Sequence, residues 1–218
     1  ALSPTLLDST PASNPSSKHE VSLPMTNIHP VFIIGTGSVG LGLAHALVDA
    51  SIDLRGIWSR SAKDPAELPE TIPHFVGWTS PGLQEAIRSS KTVILAVADA
   101  AIAPCSAELL ERGLLGPNTT IAHTSGCTPI QALTAAAGLY RGGMHPLTAI
   151  PNASIGRARL RSCVYGIEGD GPAHDQLHAL ATELGGRPFS LSPGQRGKPA
   201  LRVHLRIIVI IKPSARSS

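Results

Sequence analysis

Val31-Phe32-Ile33-Ile34-Gly35-Thr36-Gly37-Ser38-Val39-Gly40 is the stretch from which the rest of this chain can be read. Four apolar residues in succession describe a strand covered on both faces, as in a parallel sheet with helices above and below. The glycines after them stand in G-x-G-x-x-G spacing, and Leu41, Leu43, Ala44, Leu47 and Val48 then recur at helical intervals to Ala50. A strand, a glycine turn and a helix in that order predict a seat for a diphosphate. Gly35 permits the tight turn, Gly37 keeps a Cβ away from the phosphates, and Gly40 lets the helix pack on the strand. The helix start adds unpaired N–H groups and a partial positive charge. Thr36, Ser38 and Val39 complete the loop, with the Ser38 hydroxyl available for one more hydrogen bond. Glycine loops also serve as plain tight turns, so the weight falls on the flanking strand and helix and on a second strand about 20 residues further on.

That second strand, Leu54 to Trp58, selects the nucleotide. An NAD or FAD site usually ends it with Asp or Glu, which accepts from the ribose hydroxyls. Here the strand runs into Ser59-Arg60-Ser61, without a carboxylate. A guanidinium can grip a 2′-phosphate, and hydroxyls can donate to it, whereas an acid would repel it. NADP(H) is therefore expected rather than NAD(H). The competing reading is an ordinary solvated arginine in a loop. A methyltransferase sharing the glycine loop is less well matched, because it too would want an acid here.

Working outward, strands are expected at Phe75 to Trp78, Thr92 to Val97, Thr119 to His123, Cys163 to Glu168 and Arg187 to Leu191, with an extended segment from Gly143 to Leu147. Helices are expected at Pro81 to Ser89, Ala100 to Arg112, Thr128 to Ala137 and Pro172 to Leu184. This alternation predicts an α/β fold with a doubly wound, mainly parallel Rossmann-type sheet over residues 29–191. Residues 1–28, rich in Ser, Pro, Thr and Asn, read as a disordered leader, within which Met25 is an alternative start.

Composition narrows the class. Apolar residues make up 42% of the 218, but aromatics only 3%, so the core must be aliphatic. The net charge of +3 hides an asymmetry: seven basic residues and no acid follow Glu183, leaving 11 basic against 15 acidic up to and including it. The basic tail, 192–218, has no interleaved aromatics or recognition motif, so nucleic acid is not the expected partner. Cys105, Cys127 and Cys163 have no metal-ligand spacing and read as reduced thiols, and no metal is expected. The first residues lack a secretory pattern, and Ile207 to Ile211 is too short to cross a bilayer. A cytoplasmic protein without a membrane span is the expectation.

The strand ends supply the candidate pocket. Val97 and Ala98 close an apolar strand with small side chains, leaving room for a nicotinamide ring, while Asp99 reads best as the cap of the next helix. His123 and Ser125 in Ile121-Ala122-His123-Thr124-Ser125-Gly126, and His145 in Met144-His145-Pro146-Leu147, stand at neighbouring strand ends. Histidines there can bind an anion or move a proton. Equally, His123 can be a hydrogen-bonded structural residue and His145 a brace for the turn at Pro146. Ser125 lacks the G-x-S-x-G elbow of a hydrolase nucleophile.

VFIIGTGSVGLGLAHAL, GIWSRS, VILAVAD, IAHTSG, GGMHPL and CVYGIEGD, spread over residues 30–191, together resemble the Rossmann-like NADP-oxidoreductases that carry a C-terminal domain of unknown function. These are related to pyrroline-carboxylate reductases and 6-phosphogluconate dehydrogenases. The resemblance implies NADP(H) held by Gly35, Gly37, Gly40, Ser59 and Arg60, and a cleft at Val97, His123, Ser125 and His145 with the catalytic candidates His123, Ser125 and His145. It implies hydride transfer to or from a small-molecule carbonyl, imine or alcohol, and a homodimer formed through a C-terminal helical domain. After Gly194-Gln195-Arg196 this chain departs: prolines, basic residues and an Ile-Val run stand where amphipathic helices and a catalytic lysine are found in relatives. The expectation is a truncated or altered C-terminal region. The alternative function is an NADP(H)-binding module without catalysis.

Overall fold

In a computed structural model, residues 30–191 are described. The leader at 1–28, Met25 and the basic tail at 192–218 lie outside the described residues. The run that opened the sequence reading is strand β1, Val31–Ile34, and all four residues are fully buried. Strands β2 (Leu54–Ser59), β3 (His74–Val76), β4 (Thr92–Leu95), β5 (Thr119–His123), β6 (Leu139–Pro146), β7 (Val164–Gly169) and β8 (Arg187–Ser190) join it in one sheet. Their order is β3-β2-β1-β4-β5-β6-β7-β8. All neighbours are parallel except β6 and β7. The sheet is the expected doubly wound, mainly parallel one, with a single antiparallel step at β6/β7.

Helices α1 (Ser38–Asp49), α4 (Ala153–Leu160) and α5 (Pro172–Glu183) cover one face, and α2 (Leu83–Arg88) and α3 (Asp99–Glu111) the other. The first face is sealed by Leu43, Leu47, Leu177 and Leu180 against Ile33, Ile94 and Ile167. The second is sealed by Ile87, Ile102 and Leu109 against Phe32, Val93 and Ile121. Each buried aliphatic of this size contributes about 1.5–3 kcal/mol. The chain leaves β1 towards β2 through α1 on one face, and leaves β4 towards β5 through α3 on the other. The sheet therefore changes direction between β1 and β4, and a crevice opens at their carboxyl ends.

Three local expectations fail for physical reasons. No helix spans 128–137; there is one short 3₁₀ turn, Ile130–Ala132. Ser125 Oγ accepts from the backbone N–H groups of Cys127 and Thr128, closing a tight turn before a helix can start. The Thr134 N–H is then taken by Ser106 Oγ of α3. Conversely, Ala153–Leu160 is a helix absent from the sequence expectations, and Gly156 sits in its middle. That glycine lies against Gly42 of α1, where an added Cβ would meet the Gly156 Cα at 3.0 Å. The residue that weakens the helix is what lets two backbones touch. Asp99, expected as a cap, is instead the first helical residue; Ala98 occupies the cap position and no side chain caps it.

Candidate functional site

The carboxyl ends of β1, β2 and β4 surround a cavity of about 540 Å³. This lies within the usual range for small-molecule sites. Gly35, Thr36 and Gly37 come from the β1 turn, Ser59, Arg60 and Ser61 from the end of β2, and Ala96, Val97 and Ala98 from the end of β4. The structure thus brings together eight of the eleven residues expected to hold the nucleotide. Ser38, Val39 and Gly40 stand behind the lining in the first turn of α1, where the Ser38 hydroxyl donates to Pro151 O at 3.2 Å.

The three glycines differ in what demands them. Gly35 has φ +113°, and a Cβ on it would meet Ala96 O at 2.4 Å. A Cβ on Gly40 would meet Gly35 O at 2.0 Å. Backbone shape and packing account for both. Gly37 has an ordinary φ of −76°, and a Cβ there would meet nothing within 4 Å. Neither its conformation nor the protein's own packing requires glycine, yet it faces the cavity at the start of α1. No side chain caps that helix and its first turn carries no acid. A bare position with open space before it, beside uncapped amides, fits a diphosphate approaching the backbone closely.

At the end of β2 the side chains divide by burial. Ser59 is only 5% exposed; its hydroxyl donates to Ser61 O at 2.6 Å and lies 2.7 Å from His74 Nε2. Arg60 and Ser61 are exposed at the rim. Arg60 lies near enough to Cys105 for its charge to favour the thiolate, although burial dominates and pushes the Cys105 thiol up. Lys63 brings a second cation to the same wall. Opposite them, Ala101, Pro104, Cys105 and Glu108 line the cavity from one face of α3, with Trp58 and Trp78 beside them. The two indoles stack at 4.0 Å between centroids and 21° between planes, and the Arg112 guanidinium lies 5.7 Å from the Trp78 ring. Sequence reasoning missed this wall. The spacing 101, 104, 105, 108 does mark one helical face, but nothing local says that it turns towards the crevice.

His123, Ser125 and His145 also assemble, though not in the lining of that cavity. His123 ends β5 in register with Gly143 of β6, so His145, two residues on, shares its face of the sheet. The His145 Nδ1 lies 3.1 Å from Thr124 O, a carbonyl that can only accept. Nδ1 therefore carries the hydrogen and Nε2 is the basic nitrogen of the neutral ring. The ring packs on Gly126, where a Cβ would meet Nε2 at 2.3 Å. This contact joins the His-Thr-Ser-Gly and Met-His-Pro-Leu segments. His123 is wholly buried and Ser125 is 9% exposed. Among the described residues no group of His, Cys, Asp and Glu is placed to hold a metal ion, and no helix is long and apolar enough to cross a membrane.

Among solved structures, the fold is similar to that of a Bacteroides fragilis protein assigned as an NADP oxidoreductase, with TM-score 0.64, 21% identity, and 84% of this chain over 67% of that one. It is also similar to the NAD+ dependent dismutase 5-formyl-3-hydroxy-2-methylpyridine 4-carboxylic acid 5-dehydrogenase (TM-score 0.57, 18% identity, 84% of this chain, 63% of that one). A third is the reductive aminase of Aspergillus terreus in complex with NADPH and ethyl levulinate (TM-score 0.57, 15% identity, 84% of this chain, 61% of that one). The chain thus spans roughly three fifths to two thirds of the length of these proteins, and at such identities the likeness is one of fold. A search of curated proteins finds no match. The model of the Rossmann-like domain family matches residues 15–151, more than half of the sequence, and the chain belongs to that family.

Proposed function

We propose that the chain is an NADP(H)-dependent oxidoreductase acting on a small carbonyl, imine or alcohol substrate in the cytoplasm. The observation that carries the reading is Gly37: it faces an open cavity at an uncapped helix start, where neither its φ nor the space around an added Cβ demands glycine. A diphosphate seated on its backbone directs the adenosine half towards the β2 end. There the absence of a carboxylate and the presence of Arg60, Ser61 and Lys63 favour a 2′-phosphorylated ribose. The other half runs towards Val97 and Ala98, whose small side chains leave space for the nicotinamide ring. When bound, that ring supplies the redox chemistry. The chain's own part is to orient it, and to hold or move a proton at His145 Nε2, with His123 and Ser125 shaping the loop around it.

The first test is a titration of the full chain with NADPH and NADH. Both tryptophans, Trp58 and Trp78, line the cavity, so quenching of intrinsic fluorescence reports occupancy. Tighter binding of NADPH supports the reading, and no uptake of either nucleotide at millimolar concentration rejects it. A second reading, NADP(H) binding without turnover, is favoured by one observation: none of His123, Ser125 and His145 lines the cavity. NADPH oxidation across a panel of carbonyls and imines separates the two.

A further inference from the structure

We propose that His74 is a positioning residue for 2′-phosphate recognition, acting through Ser59 on the turn that carries Arg60. The inference rests on the NADP(H) reading above and deepens it.

His74 opens β3 and does not line the cavity. Its ring nitrogen Nε2 is 2.7 Å from Ser59 Oγ, and the Ser59 hydroxyl donates to Ser61 O at 2.6 Å. A hydroxyl has one proton, and this one goes to the carbonyl. The imidazole must then donate to the Ser59 oxygen, so Nε2 carries hydrogen. The result is a two-step relay, His74 Nε2–H to Ser59 Oγ–H to Ser61 C=O, that spans the backbone of Arg60. Gly77 N–H donates to Ser59 O at 2.9 Å, so the residue that follows β3 grips Ser59 by its main chain as well. Ser59 is nearly closed to solvent, so water is a poor substitute for the imidazole. Burial and the charge of Lys63 hold His74 below its ordinary value, which keeps the ring neutral at pH 7.

A relay of this kind fixes where the Arg60 side chain leaves the backbone. A guanidinium on a long exposed side chain grips a phosphate well only if its root is held. His74 therefore bears on the nucleotide that has the extra phosphate, and little on the one that lacks it. A purely structural histidine, tying an edge strand to the sheet, would affect both alike.

The test compares NADPH and NADH affinities of the full chain and its variants, read by tryptophan fluorescence. In His74→Phe the preference for NADPH over NADH is expected to fall about five- to tenfold, the worth of one hydrogen bond, with NADH affinity nearly unchanged. His74→Gln, whose amide can donate from the Nε2 position, restores most of the preference. Ser59→Ala removes the centre of the relay and carries the same test if the phenylalanine variant does not fold. The double variant loses no more than either single one. Equal losses for both nucleotides, or an unchanged preference in Ser59→Ala, overturn the proposal while leaving the cofactor reading intact. A parent chain without any NADPH preference overturns the cofactor reading itself, and the inference with it.

Discussion

The turns at the carboxyl ends of β1 and β2 and those at the ends of β5 and β6 use their polar residues in opposite ways. At the glycine-loop end, Gly37 faces open space and Arg60 and Ser61 stand exposed on the rim. At the histidine end, the polar groups are turned into the loop itself. Ser125 Oγ caps Cys127 and Thr128, and the His145 ring is wedged between the Thr124 carbonyl and Gly126. The first region is a surface shaped for something else to complete. The second maintains its own shape and presents chemistry only as a consequence. Substitutions in the first should therefore alter nucleotide binding and spare the fold, whereas those in the second should alter turnover and the shape of their own loop while leaving nucleotide affinity nearly unchanged.

The largest expected effect tests the second region. His145→Ala is predicted to lower NADPH-driven turnover by about 10²–10³-fold, the usual worth of a positioned acid or base. NADPH affinity should change by no more than about twofold in the same variant, because His145 does not line the cavity. Unaltered turnover would make His145 a brace for its loop. Next comes Gly37→Val, which puts side chain where the phosphates are expected. Affinity should drop about 100-fold, or about 2.7 kcal/mol, while the melting temperature changes little, because a Cβ built at Gly37 meets nothing within 4 Å. Gly40→Ala is the contrasting control: its Cβ would meet Gly35 O at 2.0 Å, so stability falls by about 1–3 kcal/mol. If both glycine variants lose stability equally, the distinction drawn at Gly37 is wrong. Third, Arg60→Ala should weaken NADPH by about 1.5–3 kcal/mol, as for a hydrogen bond to a charged group, and leave NADH almost untouched.

The same contrast explains how far the sequence could be read. The β1 run, the glycine spacing and the missing acid after β2 are all local, and each carries its meaning within a few residues. The doubly wound, mainly parallel character of the sheet followed from them because strands and helices alternate so regularly, whereas the antiparallel step at β6/β7 did not. What stayed hidden depends on contacts distant in sequence. The helix around Gly156 finds its reason only when Gly42 is seen against it, 114 positions earlier. The alanines at 135–137 read as helix until Ser106 takes the Thr134 N–H. The cavity wall on α3 has the periodicity of a helical face, but its direction is set by how α3 crosses the sheet. His74, an unremarked residue of a short edge strand, acquires interest only through its 2.7 Å contact with Ser59.

The smallest expected effect is a pH dependence confined to the nucleotide end. Burial and the nearby Lys63 charge lower His74 from its ordinary 6.5, so the unfolded chain binds this proton more readily than the folded one. The stabilising contribution is then complete above pH 6.5 and declines as pH falls through the lowered value, where the folded ring too becomes charged. His74→Gln should flatten that part of the stability profile, which thermal melts from pH 5 to 8 would register. Nucleotide preference should not follow the same curve. A protonated imidazole still donates from Nε2, so the relay to Ser59 survives, and the added charge stands on the side of the site expected to hold the 2′-phosphate. NADPH preference that held or rose with acid while stability fell would separate the positioning role of His74 from its part in folding; preference that collapsed in step with stability would merge the two.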